Sequence, residues 1–314
     1  LWKETGIKKA IQRLLVGRRF GFDVERAIFL TVLHRLMVSG SDRFCQRWRR
    51  DYLINGTQHL DLHHLYRAMT FLAEPIEDQK AATPFTDRCN KDLIEESIFF
   101  DQRDLFSSLE LVFFDTTSIY FEGRGGIIGK RGFSKDHRPD LNQMVVGAII
   151  DDKGRPICCE MWPGNMTDVK TLIPVTDRVR KRFSTNRFCV VADRGMISAA
   201  TVQALETRNI PYILGTRMRR INEIKEDVLS HAGRYKEVYP EGLTSKDPAP
   251  LKVKEVVHNE KRYIVCLNTR QARRDAADRE AIVASLKEQL KKGPKSLAGN
   301  KGYRKYLKVE KGSA

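Results

Sequence analysis

Two aspartates are placed to do chemistry. Asp115 ends the apolar part of LELVFFDTTS (residues 109–118), and Asp193 ends that of FCVVADRG (residues 188–195). Two buried strands that each deliver one carboxylate at the C-terminal end can hold a divalent cation over a phosphodiester. Mg²⁺ takes oxygen ligands and is usually held by one or two carboxylates plus the substrate's phosphates. A pair of such ions about 4 Å apart activates the attacking oxygen and stabilises the leaving one. A rigid strand fixes where the charge sits. Either aspartate alone reads better as the start of a turn. The two together, in the strand order below and on a strongly basic chain, read as metal-binding carboxylates.

The elements that must position them follow from the hydrophobic pattern. LELVFFD has the length of a buried strand, QMVVGAII (residues 143–150) is a second, and RPICCEMW (residues 155–162) a third. Asp151, Asp152, Lys153 and Gly154 supply a tight turn between the last two. A helix is predicted from about Asp168 to Arg182, with Asp168 as its N-cap. Then come the strand FCVVAD, a helix from Ser198 to Arg208, and the strand PYILG. This β-β-β-α-β-α-β order is a mixed α/β, ribonuclease-H-like arrangement. Its first and fourth strands are neighbours, which would bring Asp115 and Asp193 together.

Residues 1–107 read as a helical, basic region. Trp2, Ile7, Ile11, Leu14 and Leu15 share one helical face, Asp23 and Asp61 are N-cap candidates, and a further helix is expected from Asn90 to Phe106. The core then spans residues 108–215. Residues 216–314 read as a β-rich insertion, with a hairpin turning near Asn259 and a helix from Asp275 to Lys292, and the core is expected to resume beyond the chain end.

The chain carries 56 Lys and Arg against 40 Asp and Glu, a net charge of +16, which favours a polyanionic partner. The first 50 residues hold 12 basic and 4 acidic side chains, with Arg43, Arg47, Arg49 and Arg50 around Trp48. Residues 170–220 hold 11 basic and 3 acidic. Both stretches are candidate DNA-facing surfaces, the alternative being solvated basic faces. Six cysteines without a C-x-x-C pair point to a reducing cytoplasm rather than a disulfide or zinc framework. No apolar run approaches the ~20 residues of a membrane span, and no signal peptide is recognisable. The abrupt ends, Leu1 and VEKGSA, suggest a fragment. EGRGG lacks the Lys-Ser/Thr of a nucleotide-cradling loop. His59, His63 and His64 show no acidic or cysteine partner at ligand spacing and read as helix-surface residues.

The runs FFDTTSIYFEG, GFSKDHRPDLNQMVVGAIID, MWPGNMTDVKTL and VVADRGMIS occur in this order. Together they resemble the catalytic core of bacterial insertion-sequence transposases of the DDE type, in the branch whose ribonuclease-H-like core carries a β-rich insertion. The resemblance covers about residues 109–215 strongly. It implies Asp115 and Asp193 as the first two catalytic, metal-binding carboxylates, and Mg²⁺ as cofactor with Mn²⁺ able to substitute. It implies hydrolysis at element ends followed by strand transfer into target DNA, and a bacterial or archaeal, nucleoid-associated setting. Double-stranded DNA is the partner, no membrane is involved, and synapsis of two ends requires at least a dimer. The family's third acid is a Glu within a tyrosine-arginine-glutamate-lysine pattern on a later helix. Glu280, Glu288 and Glu310 do not match it, so the chain is expected to stop before that helix and to be inactive alone. His137, Arg138, Pro139 and Asp140 are placed near the site or the DNA, and Arg138, Arg194, Arg217, Arg219 and Arg220 are the DNA-binding candidates. The alternatives are an inactive DNA-binding remnant or a non-mobile nuclease on the same core.

Overall fold

The computed structural model describes residues 1–103, 109–185, 187–216, 222, 224–239 and 251–291. The chain divides into two compact units, Leu1–Thr216 and Arg217–Ala314.

The first unit opens with five helices: α1 (Ile7–Leu15), α2 (Val24–Met37), α3 (Asp42–Trp48), α4 (Leu62–Leu72) and α5 (Asn90–Asp101). Asp23 caps α2 by accepting from the Arg26 amide at 3.0 Å, and Asp61 caps α4 in a capping box with His64. Helix α3 has no counterpart in the sequence reading; its signal is Ser41, which accepts from the Phe44 amide. Helix α5 stops at Asp101 rather than Phe106, with Gln102 as its C-cap. Ala10, Ile11, Ala27, Leu30, Trp48, Leu65 and Phe71 form a core of these helices.

Next come β1 (Leu111–Tyr120), β2 (Gln143–Asp151), β3 (Pro156–Pro163), α6 (Leu172–Phe183), β4 (Cys189–Ala192), α7 (Ala199–Thr207) and β5 (Tyr212–Leu214). The sheet order is β3-β2-β1-β4-β5. β1–β2 and β2–β3 are antiparallel, while β1–β4 and β4–β5 are parallel. This is the ribonuclease-H-like order expected from the sequence. Strand β1 is not buried on both faces. Val112, Phe114, Thr116 and Ser118 point into the core, and Asp115 and Thr117 are exposed. Phe114, Ile149 and Trp162 pack beneath the sheet with Leu172, Val175 and Val179 of α6 and Phe99 of α5.

A buried ionic cluster joins α5, β3 and α6. Arg182 has a wholly buried side chain, pairing with Glu95 at 2.7 Å, Glu96 at 2.8 Å, and Asp92 and Glu160 at 3.3 Å. Arg178 pairs with Glu160 at 2.8 Å and Asp92 at 3.0 Å. Burial holds the Glu160 carboxyl above its ordinary range despite the neighbouring Arg178 and Arg182. Burial also acts to raise Asp92, but Lys91, Arg182 and Arg178 outweigh it and hold that carboxyl low. These arginines correct the charge reading of residues 170–220. Part of that positive charge is internal and already neutralised, because Arg178 and Arg182 share a face of α6 with Val175 and Val179.

In the second unit β6 (Lys236–Val238), β7 (Leu251–His258) and β8 (Lys261–Leu267) form an antiparallel sheet. Asn259 and Glu260 make the hairpin turn with φ of 47° and 61°, as a type I′ turn requires. Ile224, Val228 and Val256 form a small buried hydrophobic cluster in this unit. Helix α8 (Thr269–Lys291) begins six residues earlier than expected and buries no residue.

Candidate metal centre

Strands β1 and β4 run parallel from Leu111 opposite Cys189 to Phe114 opposite Ala192. Asp115 and Asp193 are the next residue on each chain after the last pair of this register. Paired strands lie about 4.8 Å apart, so the backbone leads into the two exposed aspartates from neighbouring strands. Asp193 follows the last residue of β4, as expected. Asp115 does not sit at a strand end. β1 continues five residues beyond it because β2 supplies an antiparallel partner on the other side, with Asp115 opposite Ala148. What ends at Asp115 is the pairing with β4.

Each carboxylate is anchored locally. Asp115 Oδ1 accepts from the Thr116 amide at 2.7 Å, and Asp193 Oδ1 from the Gly195 amide at 2.5 Å. Among the described residues neither forms an ion pair with Lys or Arg. Two exposed carboxylates on neighbouring strands, each anchored by a backbone amide and neither ion-paired to Lys or Arg, are a donor set suited to a hard divalent ion. The residues present therefore fit the metal that the sequence reading calls for.

A third carboxylate reaches this edge. A side chain at Gly195 would begin 2.9 Å from Asp193 Oδ1 and 3.6 Å from Asp168 Oδ2. Asp168 is not the N-cap of α6. It opens a short 3-10 turn, and its carbonyl, rather than its carboxylate, accepts from the Thr171 hydroxyl. Its carboxylate instead accepts from Thr116 Oγ1 at 2.9 Å and lies 3.9 Å from Lys135 Nζ. Lys135 also donates to the Thr116 carbonyl and, at 3.2 Å, to its hydroxyl. Asp168 is thus neutralised where Asp115 and Asp193 are not. Lys135 escapes the sequence reading, which weighs Asn165 and Asp168 as residues that close over the site but prefers Asp168 as a helix cap. The available signals were GFSKD and GNMTD, whose glycines allow the two loops to touch. A Cβ on Gly132 would lie 1.9 Å from the Gly164 carbonyl oxygen.

The remaining candidates are dispersed. Arg194 is exposed in the turn after Asp193. Arg138 makes a two-point pair with Asp140 at 3.0 and 2.9 Å and lies over the Tyr120 ring. Arg217, Arg219 and Arg220 lie outside the described residues, as does Glu310. Glu280 and Glu288 lie on α8, in the second unit. His63 and His64 do have an acidic neighbour, Asp61, with ligand atoms within 4.8 Å of one another. His64 Nδ1, however, accepts from the Asp61 amide at 2.9 Å, which commits that ring to capping α4. No helix of the described residues is long and apolar enough to cross a membrane.

Residues 107–276, just over half of the chain, match the family model described as transposase DDE domain. Among curated proteins nothing matches significantly. Of solved structures, a piggyBac transposase synaptic complex with hairpin DNA aligns at 12% identity and a TM-score of 0.38. That alignment covers 83% of this chain and 56% of the other, so the chain spans little more than half of that relative. The Mos1 transposase paired-end complex with the left transposon end aligns at 14% identity and a TM-score of 0.24, over 67% of this chain and 66% of the other.

Proposed function

The chain belongs to the transposase DDE domain family, and on that premise we propose that it is a DNA transposase of an insertion sequence. It would hydrolyse phosphodiesters at element ends and pass the freed 3′-hydroxyl to target DNA. The observation that supports this reading is the parallel pairing of β1 with β4 up to Phe114 and Ala192, the residues that immediately precede Asp115 and Asp193. These two carboxylates would hold Mg²⁺, with Mn²⁺ able to substitute. When bound, the metal supplies Lewis-acid polarisation of the phosphodiester and acidifies a water molecule.

The chain's own residues supply position and charge. The Asp115 and Asp193 carboxylates are pre-oriented by the Thr116 and Gly195 amides. Asp168 fixes Thr116, the residue next to Asp115, and holds the Lys135 ammonium at the same edge. Lys135, Arg138 and Arg194 would contact backbone phosphates. The helical region, residues 1–107, serves as a DNA grip through Arg43, Arg47 and Arg50, exposed on α3 and the turn after it. Residues 216–314 are the insertion within the catalytic core. Two chains are needed to hold two element ends.

Mn²⁺ titration of the whole chain, followed by calorimetry, tests the centre without requiring turnover. Binding is expected in the wild type and absent in Asp115→Asn and Asp193→Asn. Duplex DNA affinity should be unchanged in both variants and should fall steeply as salt rises. Unaltered Mn²⁺ binding in both variants would sink the assignment. A salt-independent affinity would sink the phosphate-contact reading.

A further inference from the structure

The β1–β2 connection, residues 121–142, holds an aromatic ring that packing does not explain. Phe133 is 84% exposed, the highest value for any aromatic among the described residues, and Ile127 in the same loop is 90% exposed. The backbone carrying Phe133 is tethered on both sides. Lys130 and Gln143 exchange amide–carbonyl bonds at 3.0 and 3.1 Å, and the Gly164 amide donates to the Ile128 carbonyl at 3.1 Å. After the ring, Ser134 is buried and its hydroxyl accepts from the Arg138 amide, and the Lys135 amide donates to the Ser118 hydroxyl at 2.9 Å. Gly132 lies against the Gly164 backbone. The phenyl ring is therefore displayed from a fixed frame, in water.

Its surroundings identify what the ring would meet. Two residues on is Lys135, whose ammonium lies at the carboxylate edge, so the two Cα atoms are within about 7 Å. Arg124, Lys130 and Arg131 are exposed in the same loop. A rigid aromatic set among cations is the arrangement that stacks an unpaired nucleobase while the cations follow its backbone. We infer that Phe133 is a base-stacking residue that holds an unpaired nucleotide of the DNA end beside the Asp115–Asp193 centre.

This inference rests on the DNA-processing reading of that centre. Fluorescence anisotropy without divalent cation would compare a fully paired duplex with the same duplex mismatched at one end. The wild type is expected to favour the mismatched end by about 5–100-fold, the range of one stacked base. Phe133→Ala should lose that preference and keep its affinity for paired duplex. Phe133→Leu, which restores apolar bulk without a π-face, should also lose it. Phe133→Trp should keep it, with indole emission quenched by the mismatched end only. Equal wild-type affinity for both ends, or a preference retained in Phe133→Ala, overturns the inference and leaves the transposase reading standing. No duplex binding even at low salt overturns both. Sedimentation provides the remaining arm. If the wild type self-associates, Phe133→Ala is monomeric and the end preference is unmoved, the ring is covered by a second copy and the inference fails.

Discussion

Two groups of carboxylates lie close together in the first unit, and they are treated in opposite ways. Beneath the sheet, Asp92, Glu95, Glu96 and Glu160 are enclosed with Arg178 and Arg182, so nearly every charge has a partner within 3.3 Å. Where the pairing of β1 with β4 ends, Asp115 and Asp193 follow the last paired residues, exposed and with no ion pair to arginine or lysine among the described residues. Burial explains the contrast. A charge removed from water needs close opposite charge and hydrogen bonds to persist, whereas an exposed carboxylate is stabilised by water and can wait for a cation. The enclosed cluster fastens the helices to the sheet, and the open pair is available to a ligand. Asp168 lies between these extremes, at the open edge but held by Lys135.

The largest effect expected from breaking this contrast lies in the enclosed cluster. Arg182→Ala leaves four carboxylates short of a shared partner in a buried setting, and should cost about 3–5 kcal/mol of stability. Urea denaturation followed by circular dichroism measures it. A loss below about 1 kcal/mol, typical of an exposed pair, would mean that water reaches the cluster and that the two sets of acids do not differ in kind.

The pH dependence of stability sharpens the same contrast. Asp92 is held below its ordinary carboxylate value in the folded protein, so its contribution is present above about pH 3.8 and is lost as pH falls through the lower folded value. Glu160 has the opposite sign. Its folded value lies above the ordinary 4.5, so its ionised form is disfavoured and protonation on acidification removes that penalty. Melting temperatures at pH 7, 5 and 3.5 separate the two. Asp92→Asn is expected to be less stable at neutral pH, by about 1–3 kcal/mol for a buried group left poorly paired, and to fall less steeply below pH 4 than the wild type. Parallel curves for both proteins would contradict the role given to Asp92.

The enclosed cluster was harder to read in the sequence than the open pair, for a physical reason. Strands announce themselves by apolar runs between turn residues, so FFDTTS and VVADRG could be placed on neighbouring strands before any coordinates. Charge totals carry no information on burial. Arg178 and Arg182 entered the basic count of residues 170–220 as if solvated, although they fall at helical spacing on the stripe that carries Val175 and Val179. Asp92, Glu95, Glu96 and Phe99 fall at the matching spacing on α5. That pair of stripes was the available signal. Lys135 and Asp168 lay beyond periodicity altogether, because contact between Gly132 and Gly164 brings their loops together. The apolar run LELVFFD ends at Asp115 and makes β1 look shorter than it is, whereas the threonines and serine that follow continue the alternation against β2.

The smallest expected effect comes from the open pair itself. Asp115 is exposed, and its side chain accepts a hydrogen bond from the neighbouring Thr116 amide. Asp115→Asn should therefore change stability by no more than about 0.5 kcal/mol, the range of surface substitutions away from special features. It also removes one of two adjacent like charges, so any shift should be toward greater stability and should shrink as salt screens the repulsion. Thermal denaturation of wild type and variant at low and high salt measures this directly. A destabilisation of several kcal/mol would show that Asp115 is part of the packing that supports β1, as Asp92 is for α5, and would remove the ground for separating the open edge from a cluster that holds the fold together.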